Sequence, residues 1–261
     1  LLQTLGNLVT IARESDAAAL DGLTPGVPAV VVGAGPSLDV NAPALAGLQD
    51  RAVIIAADTA LRPLLAAGVR PHLVVGVDPG EMNARHLEGL EQVDDVWFVG
   101  EGSLHPAAFP PFRGRTFTFR VSEHEPWPWL RAHGADRGLL RAWGSVVTSA
   151  LDLALRMGCN PVVFAGVDLA YTGERSYCAN TIYDTIWRDV LMKAYNWTFE
   201  QLMEDYFAQR TTVWEPDLRG QQVRTASHLL AFRNWLLDQA ATVRDRRFIN
   251  ATGAGMLYGP G

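Results

Sequence analysis

A chain of 261 residues, 48% hydrophobic and 19% charged, suits one large packed domain and is too apolar to stay disordered. Its net charge of −6, without a long run of like charge, argues against a duplex-binding surface, so no nucleic-acid partner is expected. Cys159 and Cys178 fit no metal spacing, and no apolar stretch approaches the roughly 20 residues that span a bilayer; the expected setting is a reducing cytoplasm without membrane contact.

The opening LLQTLGNLVTIARESD has neither a basic stretch nor a small-residue cleavage site, so it is not read as a signal peptide. Its apolar residues Leu2, Leu5, Leu8 and Ile11 predict an N-terminal helix within residues 1–20. Leu1 stands where a methionine would, which leaves open whether the chain is a piece of a longer protein. Six β-rich apolar runs follow: PAVVVG (28–33), AVIIAA (52–57), HLVVGV (72–77), VWFVG (96–100), TFTFRV (116–121) and PVVFAGV (161–167). Helix-period segments such as TALRPLLAAG and SVVTSALDLALRMG separate several of them. Continuous apolar strands alternating with helices predict a mainly parallel sheet covered on both faces, a single α/β domain over 1–261. The rhythm breaks at 172–215, a helical, aromatic-rich insertion expected to form a lid or half of a cleft. An ordinary subdomain burying Trp187, Trp197 and Phe199 explains that segment equally well. The final helix is TASHLLAFRNWLLDQAATV.

At the end of the first of those runs stands GAGPSLD, residues 33–39, and in an open parallel sheet ligands bind outside the carboxyl ends of the strands. Gly33 and Gly35 are expected to permit positive φ and close approach of a ligand, while Ser37 or Asp39 caps the next helix. Phosphate binding at that helix N-terminus is the expected role, against a purely structural turn. The loop lacks the lysine of a Walker sequence, and Leu38 stands where a dinucleotide fingerprint has its third glycine. Asp58 lies 23 residues after Gly35, near where a ribose-binding acid belongs. Three strands end in aspartate, at Asp58, Asp78 and Asp168, which sets three carboxylates on one rim if the strands are parallel. Such a rim suits ribose hydroxyls, a divalent cation or a reacting hydroxyl, and helix capping is the competing explanation. His228 is a candidate base; His72, His86, His105, His124 and His133 show no metal spacing.

GAGPSLD, AADTALRPLLAAGVRPHLVVGVDPG, GSVVTSALDLALRMGCNPVVFAGVDLAY and NATGAGMLYG together resemble the shared core of two related groups. One is the bacterial motility accessory factors, implicated in glycosylating flagellin with nonulosonic, sialic-acid-like sugars; the other is the archaeal 6-hydroxymethylpterin diphosphokinases. The resemblance implies a Rossmann-like fold similar to bacterial sialyltransferases, which take a CMP-activated sugar. It further implies that Gly33, Gly35, Pro36, Ser37 and Leu38 hold nucleotide phosphates, that Asp58 faces the ligand, and that Gly144 and Ser145 form a second glycine-bearing loop. Asp78, Asp168 and His228 are then the catalytic candidates. The pterin and thiamin diphosphokinases resemble each other in a D-L-D stretch that binds the Mg²⁺ of ATP. Here Gly76 stands two residues before Asp78, a departure that favours the sugar-transfer arm and leaves the cofactor open between none and Mg²⁺. The expected ligand is a CMP-sugar, with ATP as the alternative and a non-catalytic nucleotide-binding module as a third reading; a protein such as flagellin is the expected acceptor.

Overall fold

The computed structural model describes residues 1–90 and 93–258. Its strands are β1 (Ser15–Asp16), β2 (Ala29–Val32), β3 (Val53–Ala57), β4 (Leu73–Gly76), β5 (Trp97–Glu101), β6 (Thr116–Phe119), β7 (Val162–Ala165), β8 (Val213–Pro216), β9 (Gln222–Thr225) and β10 (Phe248–Asn250). Eight of them form one parallel sheet in the order β1-β6-β5-β4-β3-β2-β7-β10, as the α/β reading requires. All six apolar runs are strands of it.

Side chains alternate across a strand, so each run divides between two cores. Val30, Val32, Ile54, Ala56, Val74 and Phe98 face the helices Leu38–Leu45 and Asp58–Ala66. Their neighbours Val31, Ile55, Val75, Val99 and Phe164 face the helix Val146–Arg156. The registers Val30↔Ile54 and Val30↔Val163 keep like faces together across β2, β3 and β7. Both faces are therefore dry, which explains why the strands read as unbroken apolar runs.

Two segments depart from expectation. Residues 1–20 are not one helix: they form helices Leu2–Gly6 and Leu8–Arg13, then β1 and a 3₁₀ turn, Ala17–Leu20. Asn7 breaks the helix because its side-chain amide is buried, donating to the carbonyls of Gly102 (3.1 Å) and Leu104 (2.8 Å). Of the expected apolar face, Ile11 is buried, Leu8 is half-buried, and Leu2 and Leu5 are exposed. Within 172–215 the helices are Ile182–Thr185, a π-helical turn Ile186–Leu191, Met192–Tyr195 and Phe199–Ala208. The end of that segment is instead β8, which pairs antiparallel with β9 across a turn where Asp217 accepts from the amides of Arg219 and Gln221. The helices bury a third core of Tyr171, Trp187, Leu202, Met203, Phe207 and Ala226, with Trp197 and Phe199 partly buried against it. No helix among the described residues is long and apolar enough to cross a membrane.

Candidate functional site

The chain runs outward from β2 through β3, β4 and β5 to β6, then returns to place β7 on β2's other side. The loops leaving β2 and β7 thus separate at the point where the topology reverses, the usual ligand crevice of such sheets. These loops are GAGPSLD and GVDLAY.

The two loops are bound to each other. Gly33 N–H donates to the Ala165 carbonyl (2.9 Å) and Gly35 N–H to that of Gly166 (2.8 Å). Neither Gly33 nor Gly35 takes positive φ, contrary to expectation. They are glycines because the loops touch: a Cβ on either would lie 2.7 Å from the Gly166 carbonyl oxygen, and on Gly35 it would also overlap the Asp168 carboxylate. Asp168 accepts from Ser37 Oγ (2.6 Å) and Ser37 N–H (3.2 Å). The closing NATGAGMLYG segment braces the same loop, with Thr252 Oγ1 accepting from Val167 N–H (3.3 Å) and Met256 N–H donating to the Asp168 carbonyl (2.7 Å).

The expected anion position at the N-terminus of helix Leu38–Leu45 is therefore filled by the protein's own carboxylate. Ser37 occupies the N-cap, but its hydroxyl donates to Asp168 and caps nothing; Asp39 accepts from Ala179 N–H and Arg175 across the loop. Pro36, Ser37 and Leu38 are buried and do not line the crevice. Burial raises the Asp168 carboxyl above its ordinary value, against the lowering effect of Ser37.

The crevice itself is a cavity of about 350 Å³ that brings together Gly33, Gly35, Asp58, Asp78, Gly144, Ser145, Asp168 and His228. Three helix starts open into it, at Asp58, at Ser145–Val147 and at Ser227–His228. Gly144 takes φ +71°, and a Cβ there would meet the Phe232 ring at 2.7 Å, so this turn requires glycine on both counts. Ser145 makes no side-chain cap; Thr148 N–H donates to the Ser145 carbonyl (3.0 Å), which leaves the Val146 and Val147 amides of helix Val146–Arg156 to meet an anion. Tyr171, Tyr177 and Tyr206 form the wall on the insertion side, and burial pushes up the phenols of Tyr171 and Tyr177, which keeps them protonated donors. Ser176, whose buried hydroxyl has no partner among the described residues, also lines the cavity. No described lining residue is lysine or arginine.

Asp58 is the most perturbed acid of the cavity. Burial raises its carboxyl from 3.8 to about 7; hydrogen bonds to Oδ1 from Thr59 N–H (2.7 Å) and Oγ1 (3.1 Å) oppose the rise, and the charge of Asp78 adds to it. Asp78 is fixed through Oδ1, which accepts from Gly80 N–H (2.9 Å). Burial lowers the His228 imidazole. For Mg²⁺, Asp58 and Asp78 fit an ion carried in on a phosphate, since that ion takes one or two carboxylates plus substrate oxygens. Among the described residues no three His, Cys, Asp or Glu side chains are grouped to hold a metal, so an all-protein cage does not fit.

Aspartates at strand ends, the glycine turns and His228 were readable in sequence. Tyr171, Tyr177, Ser176 and Tyr206 were not singled out; they come from the insertion and its approach, and only the density of aromatics there signalled a wall.

Comparison with known proteins gives the family and the fold relatives of the chain. The family model described as "6-hydroxymethylpterin diphosphokinase MptE-like" matches residues 2–174. Among solved structures, the MAf glycosyltransferase from Magnetospirillum magneticum AMB-1 superposes with a TM-score of 0.67 at 20% identity over 93% of this chain. The chain spans 36% of that protein's length. No curated protein matches the sequence.

Proposed function

We propose that this chain, which belongs to the 6-hydroxymethylpterin diphosphokinase MptE-like family, is a cytoplasmic transferase domain that takes a CMP-linked nonulosonic sugar and transfers it to a protein hydroxyl, flagellin being one such acceptor. One observation carries the choice of donor. Among the described residues the cavity offers helix N-termini and tyrosine hydroxyls but no lysine or arginine, and it already holds three carboxylates. A CMP-linked nonulosonic sugar brings two charges, its phosphodiester and the sugar's own carboxylate, against which the helix starts at Val146 and Ser227 set about half a positive charge each. A bare triphosphate brings several charges and finds no cation there.

In this reading the phosphate lies against Gly144, Ser145 and the first turn of helix Val146–Arg156. The acceptor oxygen attacks the anomeric carbon, the bond from that carbon to the phosphate oxygen breaks, and its electron pair leaves with CMP. The acceptor's proton goes to Asp58, the acid best poised near neutrality to accept it. Burial holds Asp58 high, Asp78 adds to it, and Asp78 faces the sugar hydroxyls. Asp168 acts as a positioning residue that locks GAGPSLD to β7's loop, a different part from the catalytic one expected of it. His228 also lines the cavity and, its imidazole lowered by burial, is a neutral acceptor there.

A second reading, transfer of diphosphate from ATP, is favoured by the coupling of Asp58 with Asp78, which suits Mg²⁺ on a phosphate chain. Thermal shifts with CMP, CDP, UDP, ADP and ATP, each with and without Mg²⁺, separate the two. A ligand at about 100 times its Kd adds about 2.7 kcal/mol, an easily read shift. A CMP shift indifferent to Mg²⁺ is expected. A Mg²⁺-dependent preference for ATP transfers the assignment to the kinase reading, and no shift with any nucleotide defeats both. A nucleotide shift without turnover leaves the non-catalytic module.

A further inference from the structure

The two ends of the crevice differ in kind. Sheet order sets β4 and β3, followed by Asp78 and Asp58, on one side of β2, and β7 on the other. Burial and then the charges of Asp78 and Asp58 raise the Tyr183 phenol, so the acids share their end with the insertion. Helix Ser227–Thr242 stands at the β7 end. Thr225 Oγ1, just before it, donates to the Leu169 carbonyl (2.9 Å), and Arg233 Nε donates to that of Met256 (2.7 Å), whose amide holds Asp168. From this helix His228, Leu229 and Phe232 line the crevice, and none is a carboxylate.

His228 and Phe232 lie four residues apart on one helix face, with Cβ atoms about 5–6 Å apart, and their rings meet edge to face at 5.8 Å. Neither belongs to the packed cores of the fold, and among the described residues neither ring meets another aromatic ring. Phe232 also abuts the Gly144 turn, where a Cβ would lie 2.7 Å from its ring. A phosphate on the Val146 and Val147 amides thus has an aromatic pair on one side and two acids on the other. A nucleotide-linked sugar has the same order: planar base, ribose, phosphate, then the group to be transferred.

We propose that His228 and Phe232 form the nucleoside subsite, the donor's base lying against their rings while the sugar points toward Asp58 and Asp78. Resting on the transferase reading, this fixes which way round the donor lies, and it leaves proton transfer to Asp58. A nonulosonic sugar carries its carboxylate on the anomeric carbon, so that charge stays beside the phosphate, near the helix starts, while the sugar's hydroxyls reach the acids.

Calorimetric titration with CMP and with ribose 5-phosphate, which lacks the base, reads the subsite. The parent is expected to bind CMP about tenfold more tightly or better, the gain a stacked base gives. Phe232→Leu and His228→Ala, taken singly, should each narrow that gap several-fold and leave ribose 5-phosphate binding unchanged. Tyr206→Leu, on the opposite wall, should keep the gap. Saturation-transfer NMR on the parent, which needs no variant, should mark cytosine H5 and H6 above the ribose protons. A gap unchanged in both variants, or lost in Tyr206→Leu instead, overturns the subsite. Equal weakening of both probes also overturns it, because the pair would then only support the Gly144 turn. The transferase reading fails separately: a parent that binds neither probe defeats it together with the subsite, whereas one that binds both alike keeps the phosphate site and sinks the nucleoside wall alone.

Discussion

Asp58→Asn tests the cavity's electrostatics without needing a substrate. In the folded protein this carboxyl titrates near 7, against 3.8 for an unburied aspartate. An acid whose folded value is raised contributes its full stability below the unfolded value and loses it as pH rises through the folded one. Below about pH 4 both states are protonated and nothing is lost; between the two values only the unfolded chain ionises, and folding weakens. The whole span corresponds to about 4 kcal/mol, at about 1.4 kcal/mol for each pH unit. Asparagine removes the titration while its Oδ1 still accepts from Thr59 N–H and Oγ1. Urea unfolding of parent and variant, followed by tryptophan fluorescence at pH 5, 6, 7 and 8, isolates the term, because titrations of groups not coupled to Asp58 cancel in the difference. The variant's advantage should grow by about 2.5 kcal/mol from pH 5 to pH 8. A difference that stays flat across that range refutes the claim that Asp58 is buried without a compensating cation.

Gly35→Val should destabilise by at least about 3 kcal/mol in the same assay, since its Cβ overlaps Asp168 and presses on the Gly166 carbonyl; Gly47→Ala, with open space around it, should change little. Parent-like unfolding of Gly35→Val would show that the two loops are not locked. His86 is buried, its ring nitrogens without hydrogen-bond partners among the described residues, and burial with the nearby Arg62 guanidinium holds it down at about 4 from 6.5. A base so depressed loses stability as pH falls below 6.5, by about 3 kcal/mol on reaching pH 4, and His86→Phe should flatten that acid limb of the unfolding curve. An acid limb unchanged in the variant would place the imidazole in contact with water.

The sheet was legible because its signal is local. Unbroken runs such as AVVV and VIIAA cannot be half-exposed, and their separation by helix-period segments leaves parallel pairing as the consistent arrangement. The short edge strands Ser15–Asp16 and Phe248–Asn250 carry no comparable run, and their pairing comes from the neighbours β6 and β7. The N-terminal helix misled because its leucine spacing is truly helical, while the break depends on carbonyls of Gly102 and Leu104, far along the chain. In the same way the strand-end aspartates were visible one by one, but Ser37 and Asp168 are 131 positions apart and nothing local announces their bond.

That bond changes what a glycine-rich turn at a strand end implies. The turn, the close backbone approach and the following helix are all present at GAGPSL, yet the anion they attract is Asp168 of the same chain. Two negative groups cannot share one helix start, so in the proposed reading the ligand phosphate takes the next one, where Gly144 opens the turn and no side chain caps the Val146 and Val147 amides. The carboxylate at β7 thereby fixes both the shape of the first loop and the place of the ligand's charge. In the proposed transfer, binding and catalysis then divide between a helix turn and a strand end: phosphate at the Gly144 turn, and the acceptor's proton at Asp58, held near neutrality by burial and, to a lesser extent, by Asp78.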